Sequence, residues 1–245
     1  MGNRKNTYEL LFEDDHILIV SKAAHLLSIP DRFKPEKPNL YHMLNEVYGK
    51  VYIVHRLDKE TSGILCFAKT EEAHRSLSMQ FENRSTTKTY LALCEGTPIQ
   101  AEGSIELALA PHPTIAGKMI TTNKGKSALT TYKVIENFKA FSLIETHIHT
   151  GRTHQIRVHF QAIGHPLAVD PVYNKRTALF LSEFKRKRFN MGKEKEERPL
   201  MARSSLHAWK LSIQHPHTKE EISTEAPLPK DFRATLNQLR KWNTL

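Results

Sequence analysis

Cysteine is almost missing from this chain of 245 residues, which has only Cys66 and Cys94. Each sits in an apolar, strand-like run, so both are expected as buried thiols and not as a disulfide. That usage fits a reducing compartment, the cytoplasm. No stretch comes near the ~20 consecutive apolar residues of a membrane helix. Behind the basic residues of the first six positions there is no apolar core, which argues against a secretory signal peptide. Internal repeats are lacking, and no composition break marks a domain boundary, so a single domain spanning 1–245 is expected. Acidic residues are in deficit: 26 Asp and Glu stand against 36 Lys and Arg, a net charge of +10. Such a surplus attracts polyanions and speeds their encounter, without separating RNA from DNA or anionic lipid. With 39% apolar and 25% charged residues, the chain has the balance of a folded globular protein and not of a disordered one.

What is present reads as alternating short elements. Tyr8 to Lys22 predicts two strands around the Glu13-Asp14-Asp15 turn, and Leu40 to Val47 a short helix. Strands follow over Val51–Val54 and Ile64–Ala68. Thr70 is placed to cap a helix with Glu71 and Glu72 in its first turn and Ala73, Leu77 and Phe81 on one face. Further strands are expected over Lys88–Cys94, Ser104–Leu109, Leu129–Ile135 and Phe141–Thr146. Thr153 would cap a helix whose buried stripe is Ile156, Phe160 and Ile163, ended by Gly164. Strands near Ser205–Ile213 and Glu221–Ser223 precede a helix from about Asp231. The pattern predicts an α+β fold with a large mixed, mainly antiparallel central sheet flanked by helices and loops. Lys175 to Arg198 is so rich in charge that it predicts an exposed basic insertion.

Two segments concentrate chemistry. His55-Arg56-Leu57-Asp58-Lys59-Glu60-Thr61-Ser62-Gly63 lies between strand-forming runs and should form a loop at a sheet edge, the usual setting for catalytic groups. Taken alone, Asp58 reads first as an ordinary turn carboxylate. Thr150-Gly151-Arg152-Thr153-His154-Gln155-Ile156-Arg157-Val158-His159 enters a helix start crowded with cations and donors, suited to holding an anion; taken alone, Arg152 and Arg157 also read as solvated helix charges.

These segments resemble motifs of the RluA-type pseudouridine synthases. His55-Arg56-Leu57-Asp58 with Thr61-Ser62-Gly63 is similar to the central signature. Thr150 to His159 resembles the third motif, continued by His165-Pro166-Leu167 and Asp170-Pro171-Val172-Tyr173. Asp14 to Lys22 resembles the first motif, Lys88-Thr89-Tyr90 the tyrosine motif and Leu206-His207-Ala208 a late strand. The blocks keep the family order over about 200 residues. Two departures, Ala23 where proline is common and Val169 before Asp170 where glycine is usual, affect loop shape outside the chemistry.

The resemblance implies a pseudouridine-synthase-like fold and an isomerase that converts uridine to pseudouridine in RNA. It detaches uracil from ribose and rejoins it through carbon, with no cofactor and no metal. Asp58 is then the nucleophile, with Arg157 beside it lowering its pKa and Tyr90 stacking on the flipped base. Whether the carboxylate attacks the ring or the sugar stays open. Arg56 is implied to fill the space the base vacates, at an unstacking cost of a few kcal/mol. His55, Arg152, Lys22 and Leu206 complete the implied substrate contacts. The chain begins almost at the first motif, which suggests a short form without an N-terminal RNA-binding domain. Such a form is expected to be a cytoplasmic monomer with no membrane association, acting on a ribosomal or transfer RNA stem-loop.

Three other readings stay in view. His147 and His149, on one strand face with His154 or His159 nearby, suggest a zinc hydrolase, but no H-E-x-x-H or paired-cysteine motif supports it. Asp58 with Glu60 could be a glycosidase pair. A non-enzymatic RNA-binding protein would share the basic surface.

Overall fold

The computed structural model describes residues 7–191 and 196–245. The opening hexapeptide and positions 192–195, part of the insertion expected over 175–198, lie outside the described residues. In chain order the elements are β1 (Tyr8–Glu13), β2 (Ile17–Lys22), α1 (Leu40–Tyr48), β3 (Tyr52–Ile53), β4 (Ser62–Ala68), α2 (Glu71–Glu82), β5 (Thr87–Glu95) and β6 (Glu102–Glu106). They continue with β7 (Leu109–Pro111), β8 (Met119–Thr121), β9 (Leu129–Asn137), β10 (Phe141–Ile148), α3 (Gln155–Ala162), α4 (Leu181–Lys185), β11 (Leu206–Gln214), β12 (Glu221–Glu225) and α5 (Lys230–Trp242). Helices mixed with mainly antiparallel strands make this the α+β class that the residue pattern predicts. Two compact units are formed. One ends at Thr89 and resumes over His207–Pro227, and the other comprises Tyr90–Leu206 and Leu228–Leu245.

In the first unit the strand order is β1-β2-β4-β11, with β12 beside β11 and β3 beside β4. Every residue of β4 is buried, as the core strand of a sheet covered on both faces requires. It runs antiparallel to β2 and parallel to β11. Thr70 caps α2 as expected, its hydroxyl accepting the Ala73 N–H at 3.1 Å. That start orients Ala73 and Leu77 onto Ile17, Ile19, Ile64 and Cys66, with Phe81 packed against the edge. Burying each large side chain there contributes about 1.5–3 kcal/mol. Both cysteines are buried free thiols, and burial pushes the Cys66 thiol up to about 12.

The second unit carries the order β5-β10-β9-β6 and a separate β7-β8 hairpin. Three expectations need correction here. The strand expected over Ser104–Leu109 divides into β6 and β7, because Leu109 leaves the sheet to exchange backbone hydrogen bonds with Lys126 at 2.9 and 2.8 Å. Thr153 does not cap α3. The boundary residue is His154, held in the left-handed region at φ 55°, and the Gln155 amide closes the turn instead. Nor is the segment 175–198 wholly exposed. Leu179 is buried and pairs with Met201, and Phe184 is buried edge-on to Phe141 at 5.8 Å. Among the described residues of this segment, the strongly basic and largely exposed part is 185–188.

Where β4 meets β11, Gly63 has φ 116°, and a Cβ there would lie 2.1 Å from the Ala208 carbonyl oxygen. Neither the backbone angle nor the space admits a side chain. Gly63→Ala is therefore expected to lower stability by roughly 3 kcal/mol or more, read as the midpoint of urea unfolding. A midpoint within error of the parent would show that β4 and β11 do not approach this closely.

Candidate active site

Asp58 sits in the loop between β3 and β4, half-buried, with the backbone on both sides of it fastened. Before it, the Ser28 hydroxyl donates to the Leu57 carbonyl at 2.8 Å and accepts the Leu57 N–H at 3.1 Å. The Asp58 carbonyl accepts the Thr61 N–H at 3.1 Å, closing a turn. After it, the Lys22 ammonium donates to the Lys59 carbonyl at 3.2 Å, and also to those of Ala23 at 2.9 Å and Leu26 at 2.8 Å. Lys22 is only 1% exposed. A buried cation is tolerable when its donors meet fixed dipoles. Lys22 stands opposite Gly63 in the β2–β4 register, which is why the end of β2 can reach the loop that precedes β4.

His55 and Arg56 behave differently, although they are adjacent. The His55 ring stacks on Phe81 at 4.5 Å, and its Nε2 accepts the Cys66 N–H at 3.0 Å. Desolvation first, and the Lys88 charge second, push its pKa from 6.5 down to about 3. It is a neutral acceptor that ties the loop to β4. Arg56 is exposed, a cation available to a polyanion. Below them, the Ser62 hydroxyl pairs with His207 Nδ1 at 2.9 Å.

In the second unit Arg157, on α3, is 5% exposed and grips Asp170 through two hydrogen bonds, Nε to Oδ2 at 2.7 Å and Nη2 to Oδ1 at 2.9 Å. Asp170 is fully buried, and its Oδ1 also accepts the N–H groups of Val172 and Tyr173 at 2.9 and 3.1 Å. The guanidinium lies 5.0 Å over the Tyr173 ring. The Tyr173 hydroxyl accepts the Met119 N–H at 2.9 Å and meets His154 Nδ1 at 2.8 Å. Gln155 organises the turn before α3. Its Oε1 accepts from the Thr150 hydroxyl and the Arg152 N–H, and its Nε2 donates to the Leu129 carbonyl and the Thr130 hydroxyl. Tyr90 is buried in β5.

The expected residues thus divide between the units, with Lys22, His55, Arg56 and Asp58 in the first, and Tyr90, Arg152, Arg157 and Leu206 in the second. Arg152 directs its Nε to the Ser127 carbonyl at 3.1 Å, which fastens its own loop. Leu206 is buried at the start of β11, and its carbonyl accepts from Arg203. The residue pattern did not point to Ser28, Gln155 or Tyr173 as organisers, or to Asp170 as the partner of Arg157. Among the described residues no three His, Cys, Asp or Glu side chains converge as a metal site would need. His147 instead meets Glu145, His149 meets Thr131, and His159 meets Thr130 and the Leu107 carbonyl. No helix of the described residues is long and apolar enough to cross a membrane.

Residues 16–162 match the family model described as RNA pseudouridylate synthase. The chain belongs to that family. Among its relatives is the ribosomal large subunit pseudouridine synthase D of Nitrosomonas europaea, 38% identical over 95% of this chain and 65% of the relative. The protein of the same name from Pseudomonas aeruginosa is 37% identical over 95% of this chain and 72% of its own length. An uncharacterized RNA pseudouridine synthase, YlyB of Bacillus subtilis, is 39% identical over 95% and 73%. The chain therefore spans about two thirds of the length of such relatives. Human RNA pseudouridylate synthase domain containing 1 superposes with a TM-score of 0.70 at 26% identity, covering 94% of this chain and 87% of that one. Human RNA pseudouridylate synthase domain containing 4 shares the fold, at a TM-score of 0.73, 22% identity and coverage of 94% and 92%.

Two outcomes follow for this family member. Asp170→Asn leaves the buried Arg157 guanidinium without the charge it grips and should cost about 3 kcal/mol, seen as a lower denaturation midpoint; an unchanged midpoint would mean the pair contributes little. His55 is held neutral in the folded state, so the unfolded chain binds more protons below pH 6.5. Its contribution to stability is complete above that pH and declines as pH falls toward 3, by at most about 1.4 kcal/mol per pH unit. Unfolding midpoints measured from pH 7.5 to 5 should fall more steeply in the parent than in His55→Asn; parallel curves would contradict a neutral His55.

Proposed function

We propose that this chain isomerises uridine to pseudouridine in large-subunit ribosomal RNA, with Asp58 as the nucleophile. The observation that carries the reading is the fastening of the Asp58 loop by Ser28 on one side and Lys22 on the other. A carboxylate on a mobile turn needs no such support, whereas a nucleophile gains from being held where it reacts. The names of the relatives from Nitrosomonas europaea and Pseudomonas aeruginosa support ribosomal RNA as the substrate.

In this reading the target uridine leaves its stack, at a cost of a few kcal/mol, and the exposed Arg56 takes the vacated space. Asp58 adds to the uridine and the C1′–N1 bond breaks. The uracil turns, C5 bonds to C1′, the bond to Asp58 breaks and frees its carboxylate, the C5 proton departs and N1 takes up a proton. Atoms balance without an external reactant, so the residues need only bind, orient and move protons. Tyr90 stacks on the base, and Arg157 contributes a fixed guanidinium charge. The Arg157 fork is preorganised by Asp170, a positioning residue in this scheme. The turn fixed by Gln155 presents Arg152 toward the RNA backbone.

Because the C5 proton must leave, RNA transcribed with tritium at C5 of uridine reports each turnover as tritium released to water. The purified chain is expected to release it from large-subunit ribosomal RNA, and Asp58→Asn to do so at least about a thousandfold more slowly, as loss of a covalent nucleophile commonly does. Release by Asp58→Asn at the parental rate would remove Asp58 from the chemistry, and no release by the parent would remove the proposed substrate.

A further inference from the structure

We propose that the basic ridge formed by the turn after α4 and the end of α5 is a second RNA-contact surface, which takes phosphates of the substrate's backbone away from the reacting uridine. The inference rests on the RNA substrate proposed above and names a surface that the chemistry does not use. Arg186, Lys187 and Arg188 form a 3-10 turn directly after α4, and all three are exposed. Among the described residues none of them makes an ion pair, while other arginines of the same unit are matched. Arg176 meets Glu95 and Glu183, Arg203 meets Asp231, and Arg240 meets Glu136. Glu183, the acid of α4, is thereby already engaged by Arg176. Three adjacent cations without acids repel one another, a cost that a polyanion relieves.

The backbone and the neighbouring helix both favour presentation of this charge. Arg186 combines φ 47° with ψ −121°, a sparsely populated backbone region that costs a non-glycine residue about 1–3 kcal/mol. Strain of this kind points toward a function when the surrounding structure maintains it. In a 3-10 turn successive side chains splay around the axis, so the three cations suit an extended row of phosphates better than one small anion. Beside them Trp242 is half-buried and fixed, its indole N–H donating to Gln238 Oε1 at 3.1 Å. The ammonium groups of Lys185 and Lys241 stand over its ring at 5.1 and 5.2 Å. Cations held on an aromatic face lose less freedom when a phosphate arrives. Trp242 thus serves as a platform that extends the ridge from α4 onto α5.

The test is the salt dependence of binding to large-subunit ribosomal RNA isolated from cells that lack this protein. Arg186→Gln/Lys187→Gln/Arg188→Gln is compared with the parent and with Arg32→Gln/Lys34→Gln/Arg75→Gln, an equal loss of exposed charge in the first unit. Each phosphate contact contributes about 0.7–0.9 to the slope of log affinity against log salt. The ridge variant should therefore lose about 2 from the slope and the control variant less than half of that, with tritium release at saturating RNA unchanged in the ridge variant. An unchanged slope in the ridge variant, or an equal loss in the control, overturns the ridge. If the parent binds this RNA but releases no tritium, the proposed function fails while the slopes still decide the ridge; if the parent binds no RNA, both fail.

Discussion

The Lys22 ammonium lies within 3.2 Å of three carbonyl oxygens, those of Ala23, Leu26 and Lys59. Three N–H donors meeting three fixed dipoles is the arrangement that lets a charge stay out of water, and replacing it with an apolar group would take this donor from all three carbonyls, that of the buried Leu26 among them. Much of the first unit follows from this contact. It ties the end of β2 to the turn at 23–26 and to the residue after Asp58. The Lys22–Gly63 register then sets where β4 begins. Gly63 in turn allows β11 to approach so closely that Ser62 and His207 can bond. Ser28 completes the arrangement from the other direction, through Leu57. The loop is defined less by its own sequence than by these attachments.

A similar economy governs the second unit, with a different cation. Arg157 is buried, and Asp170 supplies both charge and geometry, while the N–H groups of Val172 and Tyr173 hold Asp170 in place. A guanidinium has a rigid fork that a carboxylate can match with two bonds, so its direction is fixed together with its position. Tyr173 adds an aromatic face and a link to His154. In both units a charge that would be costly alone is surrounded by complementary partners before any substrate is present. That is the condition under which charged groups act without reorganising.

Much of this was legible in the residues. The strand at Ile17–Leu18–Ile19–Val20, the Thr70 cap and the face Ala73, Leu77 and Phe81 all follow from local rules, because burial and capping leave periodic traces. The motif residues pointed to the family and to Asp58, Tyr90 and Arg157, yet not to what supports them. Ser28 reads as a small polar residue in an apolar run before Pro30, and nothing nearby says that its partner is Leu57. Thr153 reads as a cap from its place before the helix, and nothing local shows that the Gln155 side chain reaches back to Thr150 and Arg152 and makes that cap unnecessary. Asp170 stood in a quoted motif, but its pairing with Arg157 is a tertiary contact between a helix and a loop. The insertion misled for the opposite reason: dense charge concealed Leu179 and Phe184, whose burial anchors it. Local patterns report faces and ends, while partners far apart in the chain become visible only in the fold.

The most direct measurement is pseudouridine mapping of total RNA from three strains, carrying the parental protein, the Asp58→Asn protein, and neither. The account predicts that one or a few sites in large-subunit ribosomal RNA are present with the parent and vanish together in the other two strains. Retention of those sites with Asp58→Asn would contradict Asp58 as nucleophile, and sites lost only in transfer RNA, or no change at all, would contradict the substrate.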